Sequence, residues 1–327
     1  MGGGLKINYL DLFSGIGGFH EGLKQAGFKF DWVGYSEIDK YAKQIYKKHF
    51  PESEDLGDVR TIRTDKLPHI NLITFGFPCQ DLSIAGKRAG LAGKRSGLFD
   101  EAIRIIQDTK PDYFIFENVK GLYSSNQGRD FEYILRTIAD IGYDGQWQLL
   151  NTRWVLPQNR ERIYFVGHIR GTSRPEVFPI REGIGNNNEQ TKAIRVQISN
   201  TLRTNYSNGF SNETYIEETV IGGLKKVGTI GKDAQGQRVY NPKGISCQLS
   251  AQGGGWGAKT GLYEIIGGKN IRRLTPVECE RLQGFPEGWA EDVSDTQRYK
   301  CLGNAVTVPI VKLVAGKLLS AIQKELI

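Results

Sequence analysis

The chain has 327 residues with 39% hydrophobic content, a formal net charge of +7 and a sequence pI of about 9.1. That length accommodates one large α/β domain with a smaller one beside it, and the basic balance favours a polyanionic partner. Cys79, Cys247, Cys279 and Cys301 form no C-x-x-C pair, so no metal site is expected; no signal peptide or membrane span is read, and a reducing cytoplasm suits the free thiols.

Ile7 to Phe13 predicts a first strand. It runs into Ser14-Gly15-Ile16-Gly17-Gly18 and then a helix with Phe19, Leu23 and Ala26 on one face, ending at Gly27. Strand, glycine turn and helix make a nucleotide-binding arrangement. The glycines let the backbone pass close to a ligand, and the free N–H groups at the helix start face its polar end. The third glycine of a G-x-G-x-x-G fingerprint falls on His20, so the turn suits a cofactor without pyrophosphate, such as S-adenosylmethionine, better than NAD. Phe30 to Glu37 predicts a second strand. Its final acid lies about twenty residues past the turn, the spacing at which a carboxylate holds ribose hydroxyls; an ordinary surface acid is the plainer alternative. A helix through Tyr41, Ile45 and Tyr46 follows, and Asp58-Val59 sits after a third strand edge, placed to meet an adenine.

Ile70 to Thr74 predicts a short buried strand, stopped by Gly76 and Pro78. Cys79 is thereby delivered at the carboxyl end of a strand, at the start of a loop carrying Lys87, Arg88, Lys94 and Arg95 among glycines. A lone cysteine is ordinarily a small buried hydrophobe. At a strand-to-loop edge beside cations it is placed to be a thiolate nucleophile. Gly97 to Gln107 predicts a helix, and Asp112 to Val119 a fifth strand that is apolar until Glu117-Asn118. A carboxylate ending a buried parallel strand is costly unless it pairs or works, and this one shares a sheet edge with Cys79; the alternative is an acid capping the next turn. Gln148 to Asn151 and then Gln158-Asn159-Arg160-Glu161-Arg162 lead into a strand through Ile163 to Gly167. Arg160 and Arg162 can share a face and meet a phosphate or a base oxygen, or form a solvated charge run.

From His168 to Asn270 the chain is rich in Gly, Asn, Ser and Thr, and the part through Asn188 predicts a linker. Ile198 to Leu202 and Ile245 to Leu249 look alike, each leading to a polar glycine turn, a weak internal echo. Gln235, Gln237, Arg238, Gln252 and Lys259 suit contact with base edges in a groove; a surface insertion is the alternative. Thr275 with Pro276 and Glu278 makes a capping box for a helix to Gln283, in which Cys279 packs. Gly303-Asn304-Ala305-Val306 is expected to open the closing helix.

Taken together, Asp11-Leu12-Phe13-Ser14-Gly15-Ile16-Gly17-Gly18, Gly76-Phe77-Pro78-Cys79-Gln80, Phe116-Glu117-Asn118-Val119, Gln158 to Arg162, Arg273-Leu274-Thr275-Pro276 with Gln283-Gly284-Phe285-Pro286, and Gly303 to Val306 resemble, in order, the motifs of the bacterial and phage DNA (cytosine-5)-methyltransferases. Residues 228–263 are similar to the recognition region of a member that reads GCGC. Gln248 stands where the family commonly has threonine, Ile38 where that member stacks a tryptophan on adenine, and Ala85 at a serine of the mobile loop.

The resemblance implies a Rossmann-like, mostly parallel α/β methyltransferase domain over residues 1–180, a small irregular target recognition domain over 181–271, and a return to the catalytic domain over 272–327. It implies Cys79, Glu117, Arg160 and Arg162 as catalytic residues. For S-adenosylmethionine it implies Phe13, Ser14, Gly15, Ile16, Gly17, Gly18, Glu37, Ile38, Asp58, Val59, Gly76, Pro78, Leu98, Asn304, Ala305 and Val306. For double-stranded DNA it implies Gln80, Ser83, Lys87, Arg95, Gln235, Arg238, Gln252 and Gly255. A monomer acting beside a separate restriction endonuclease is the expected setting. The rival readings are an RNA cytosine methyltransferase, disfavoured because no Cys-Phe-Thr signature is present, a catalytically silent DNA-binding relative, and an NAD-dependent oxidoreductase, disfavoured by His20.

Overall fold

The structure is a computed structural model that describes residues 6–78, 97–172, 175–181, 224, 226–229, 237–240, 245–251, 257, 259–264 and 271–325. Its frame is a seven-stranded sheet in the order β3-β2-β1-β4-β5-β8-β6. The strands are β1 (Lys6–Leu12), β2 (Lys29–Ser36), β3 (Glu54–Asp55), β4 (Leu72–Phe75), β5 (Tyr113–Val119), β6 (Tyr143–Asn151) and β8 (Glu161–Ile169). Neighbours from β3 to β5 are parallel; β8 runs antiparallel between β5 and β6. Strand order reverses at β1, between β2 and β4, and the crevice beyond the carboxyl ends of such strands is where open α/β sheets bind ligands.

Each face of the sheet is covered because the strands are apolar on both sides. On one face lie α3 (Leu98–Thr109) and α5 (Arg129–Asp140), which bury Phe99, Ile103 and Ile106 and Phe131, Ile134 and Ile138. On the other lie α1 (Gly18–Ala26) and α8 (Val308–Glu325), burying Phe19, Leu23, Val311, Val314 and Leu318. Each such side chain contributes roughly 1.5–3 kcal/mol of burial. Caps fix the helix ends. Asp39 accepts from the N–H groups of Tyr41 and Ala42 to start α2 (Lys40–His49), and Gly27 ends α1 in the left-handed region. The capping box of Thr275 and Glu278, with Pro276 in the first turn, starts α6 (Pro276–Gln283) as expected, and Cys279 packs there fully buried. A short α4 (Gly121–Ser124) follows β5.

The later part of the chain adds a small mixed sheet in the order β13-β12-β10-β9, built from β9 (Lys226–Thr229), β10 (Arg238–Tyr240), β12 (Leu262–Glu264) and β13 (Ile271–Arg272). β11 (Ser246–Cys247) pairs in parallel with β7 (Gln158–Asn159), which ties this segment to the main domain. Tyr240, Cys247, Leu249 and Tyr263 share a core with Phe285, Tyr299 and Leu302.

Two expectations are corrected, and one apolar helix is placed. Gly303 and Asn304 close α7 (Asp295–Asn304) instead of opening the last helix; Ala305 is extended, and α8 starts at Val308. The start of the expected linker belongs to the main domain. β8 runs through Ile169, Val177, Phe178 and Ile180 are buried, and Gln148 binds Ile180 through both its amide groups (2.9 and 2.8 Å). Finally, a stretch within residues 295–324 is apolar enough, by length and composition, to cross a membrane. Half of it is buried inside the fold, where α8 packs on α1 as a core helix. Of the internal echo, Ile198 to Leu202 lies outside the described residues.

Candidate active site

The chain leaves β1 through a turn held in the left-handed region at Phe13, Gly15 and Gly17 (φ 54°, 55° and 85°). Only glycine adopts this readily, so Phe13 is held there by its surroundings. Ser14 N–H donates to Ser36 across to β2 (3.1 Å). The Glu37 carboxylate accepts from the N–H groups of Gly15 (2.9 Å), Ile38 (2.8 Å) and Asp39 (2.8 Å), so the acid ending β2 is fixed over the turn. Ile38 beside it is 70% exposed, an unusual apolar face at a crevice. Asp58 caps the turn that buries Val59 and forms an ion pair with Arg60. A Cβ on Gly18 would stand 2.7 Å from the Val306 side chain. That close approach brings the C-terminal motif onto the glycine turn. Ala305 and Val306 are buried and Asn304 is exposed; Leu98, half-buried, opens α3.

Buried polar atoms line the turn. Among the described residues, Ser14 Oγ and Asp11 Oδ2 are buried without hydrogen-bond partners, and nothing beyond the chain neighbours lies within 4 Å of the Cβ position of Gly15. Asp11, on β1, accepts from Thr74 Oγ1 (2.8 Å), and burial pushes its pKa up to about 7. Backbone open to close approach, a fixed carboxylate, unmatched polar atoms and an exposed apolar side chain fit a nucleoside cofactor with a polar tail.

The second half of the site lies one strand over. In the pairing of β4 with β5, Phe75 stands opposite Phe116, so Gly76 lies beside Glu117; a Cβ there would be 3.6 Å from Glu117 Oε2. Asn118 donates from Nδ2 to the Phe77 carbonyl (2.9 Å), which pins the chain two residues before Cys79; Pro78 is exposed. Cys79, Gln80, Ser83, Lys87 and Arg95 lie outside the described residues, as do Gln235, Gln252 and Gly255. Glu117 is 9% exposed. Arg162 Nε stands 2.9 Å from Glu117 Oε1, yet among the described residues that oxygen has no aligned hydrogen bond, so the contact is an ion pair that leaves Glu117 able to bind something else.

Arg162 also donates from Nη1 to the carbonyl of Glu161 (2.8 Å) and to Gln248 Oε1 (3.4 Å). It opens onto a cleft of about 430 Å³ between the end of β5 and the small sheet, also lined by Lys120, Arg238, Tyr240, Cys247 and Gln248. The structure thus brings a catalytic candidate, Arg162, and a DNA-reading candidate, Arg238, onto one cleft.

Arg160 does not reach it. Its guanidinium is buried and donates to the carbonyls of Leu249 (3.3 Å), Gly303 (3.3 Å) and Ala305 (2.8 Å), locking the segment after β11 to the C-terminal motif. Burial, with Arg162 nearby, lowers its pKa to about 9. Buried and bound to these backbone carbonyls, Arg160 is not the solvated charge of the alternative reading, and its guanidinium is closed to a phosphate. Gln158 performs the same kind of work, donating to the Leu282 carbonyl (2.7 Å). Asn118 and Gln158 were visible only as motif members, and the arginine pair read as equivalent because spacing carries no burial.

The family model for C-5 cytosine-specific DNA methylases matches residues 7–320. The chain belongs to that family. It is a DNA (cytosine-5-)-methyltransferase with the expected α/β methyltransferase fold. Among its relatives, the Type II methyltransferase M.HhaI of Haemophilus parahaemolyticus is 32% identical over 318 residues, covering 94% of this chain and 93% of that protein. The Type II methyltransferase M1.ScrFI of Lactococcus lactis subsp. cremoris is 35% identical over 330 residues, covering 98% and 80%. Among solved structures, the S. pombe Dnmt2 methyltransferase superposes with a TM-score of 0.66 at 19% identity, covering 97% of this chain and 99% of that one, a likeness of fold.

Proposed function

We propose that this methyltransferase flips a cytosine out of a specific duplex DNA sequence and methylates its C5 with S-adenosylmethionine, using Cys79 as the nucleophile. The Glu117–Arg162 pair, set at the strand edge where Asn118 holds the chain leading to Cys79, carries the reading. The glycine turn from Phe13 to Gly18 would cradle the cofactor, Glu37 its ribose, and Ile38, Asp58 and Val59 its adenine, with Gly76, Pro78, Leu98, Asn304, Ala305 and Val306 closing the sides. Bound there, S-adenosylmethionine supplies a sulfonium methyl, an electrophile that unactivated cytosine C5 is too weak to attack.

The chain's own residues supply the activation. The Cys79 thiolate adds to C6 and turns the ring into an enamine that is nucleophilic at C5. Glu117 holds the N3 side and the exocyclic amine and gives N3 a proton as charge builds there. Arg162 holds O2, and Arg160 keeps that arrangement in place from behind. Once C5 carries the methyl, its proton passes to a water acting as base, the Cys79 sulfur leaves as thiolate, and N3 returns its proton to Glu117, which restores the aromatic ring. C5 and C6 cannot be reached inside a stack, so the base must leave the helix at a cost of a few kcal/mol. Arg238, Gln235, Gln252 and Gly255 would read the site, and Gln80, Ser83, Lys87 and Arg95 would hold the opened strand. In this reading residues 1–180 with 272–327 form the catalytic domain and 181–271 the recognition domain. A cytoplasmic monomer protecting DNA from a separate restriction endonuclease is the setting that suits it.

Bisulfite sequencing of DNA from cells making the protein tests this. One short sequence should be methylated at a fixed cytosine throughout. Unmethylated DNA, together with tritium transfer to tRNA but not to duplex DNA, would replace this reading with the RNA one.

A further inference from the structure

The turn that would hold the cofactor is tied to the far end of the chain. Ile16, 1% exposed, lies before the start of α1 and is flanked by the left-handed Gly15 and Gly17. Trp289, 273 residues away, donates its indole Nε1–H to that carbonyl at 3.0 Å. The indole is 5% exposed and is itself held. His49 stacks on it with ring centroids 3.6 Å apart and planes 6° apart, and Phe285 lies at 5.1 Å. Its loop is anchored in turn: Glu280, wholly buried, accepts from the N–H groups of Gly288 (2.8 Å) and Ala290 (3.1 Å) and pairs with Arg298 (3.1 Å). A rigid donor is thus presented to one carbonyl of a turn with no regular ladder of its own.

We infer that Trp289 is a positioning residue that presets the glycine turn for its cofactor. This rests on the proposal that S-adenosylmethionine binds that turn. A buried carbonyl left without its donor relaxes toward another arrangement, and the N–H groups and open backbone at Gly15 move with it. Phenylalanine or tyrosine at 289 fills much of the space but offers no donor at the indole nitrogen's position.

The test is calorimetric titration of S-adenosylhomocysteine into the wild type, Trp289→Phe, and a protein carrying 3-benzothienylalanine at 289. That last residue keeps the bicyclic ring and loses only the N–H. Both altered proteins should bind about five- to thirty-fold more weakly, the range expected when a buried acceptor loses its partner. KM for the cofactor should rise with them, while kcat at saturation and DNA affinity without cofactor stay as in the wild type. Unchanged binding in the benzothienyl protein would overturn the inference, and weakening in Trp289→Phe alone would assign the effect to packing. A wild type that binds no S-adenosylhomocysteine would instead sink the cofactor reading beneath it.

Discussion

Glu117→Gln separates the chemistry from the architecture. The carboxylate is 9% exposed and faces Arg162 Nε at 2.9 Å. Removing one partner of a fully buried ion pair costs about 3–5 kcal/mol because the other charge is stranded. Here the penalty should be smaller, about 1–2 kcal/mol, because Gln keeps a carbonyl for Arg162, whose Nη1 retains the Glu161 carbonyl and Gln248. Catalysis should suffer far more. A neutral amide cannot pass a proton to N3, and general acid catalysis is worth about 10²–10⁴-fold. Tritium transfer from the cofactor to duplex DNA should therefore fall by about that factor, with urea unfolding only slightly shifted and S-adenosylhomocysteine affinity unchanged. Turnover within about threefold of wild type, a small fraction of what general acid catalysis supplies, would refute the role. A parallel loss of cofactor affinity would make Glu117 structural.

Other outcomes follow from neighbouring contacts. Arg160→Lys should lose about 2–4 kcal/mol in urea unfolding, because one ammonium cannot serve the separate carbonyls of Leu249, Gly303 and Ala305; an unchanged midpoint would contradict the clamp. Asn118→Ala frees the Phe77 carbonyl and should lower kcat about tenfold with DNA affinity retained, since misplacing a reacting group by an ångström is costly. Asp11, raised by burial from 3.8 to about 7, keeps its proton in the fold where the unfolded chain has lost it. Its stabilising share is full below about pH 4 and fades as pH rises toward 7, so Asp11→Asn should flatten the thermal stability profile over that window. Parallel profiles for the two proteins would deny the shift.

Much of the fold was legible because its signals are local. Phe19 and Leu23 at helical spacing, Gly27 as a stop, and the Thr275–Glu278 box are each set by residues within a turn of one another. What could not be read depends on partners far along the chain. Arg160 and Arg162 look alike in sequence, yet the first is enclosed by carbonyls about 90 to 145 positions away and the second faces a cleft. Residues 175–180 read as a linker because Val177, Phe178 and Ile180 show no period, and their place in the core is set by Gln146 and Gln148 on β6. The motif Gly303 to Val306 suggested a helix start, whereas its work is to break α7 from α8 and lie against Gly18.

The nucleophile assignment is tested most directly by trapping the enzyme on duplex DNA containing 5-fluorocytosine with S-adenosylmethionine, then mapping the adduct by mass spectrometry. The account predicts a covalent complex with the modified base on the peptide containing Cys79, and none with Cys79→Ser. An adduct on Cys247, a thiol lining the cleft beside Arg162, or a complex that persists in Cys79→Ser, would contradict it.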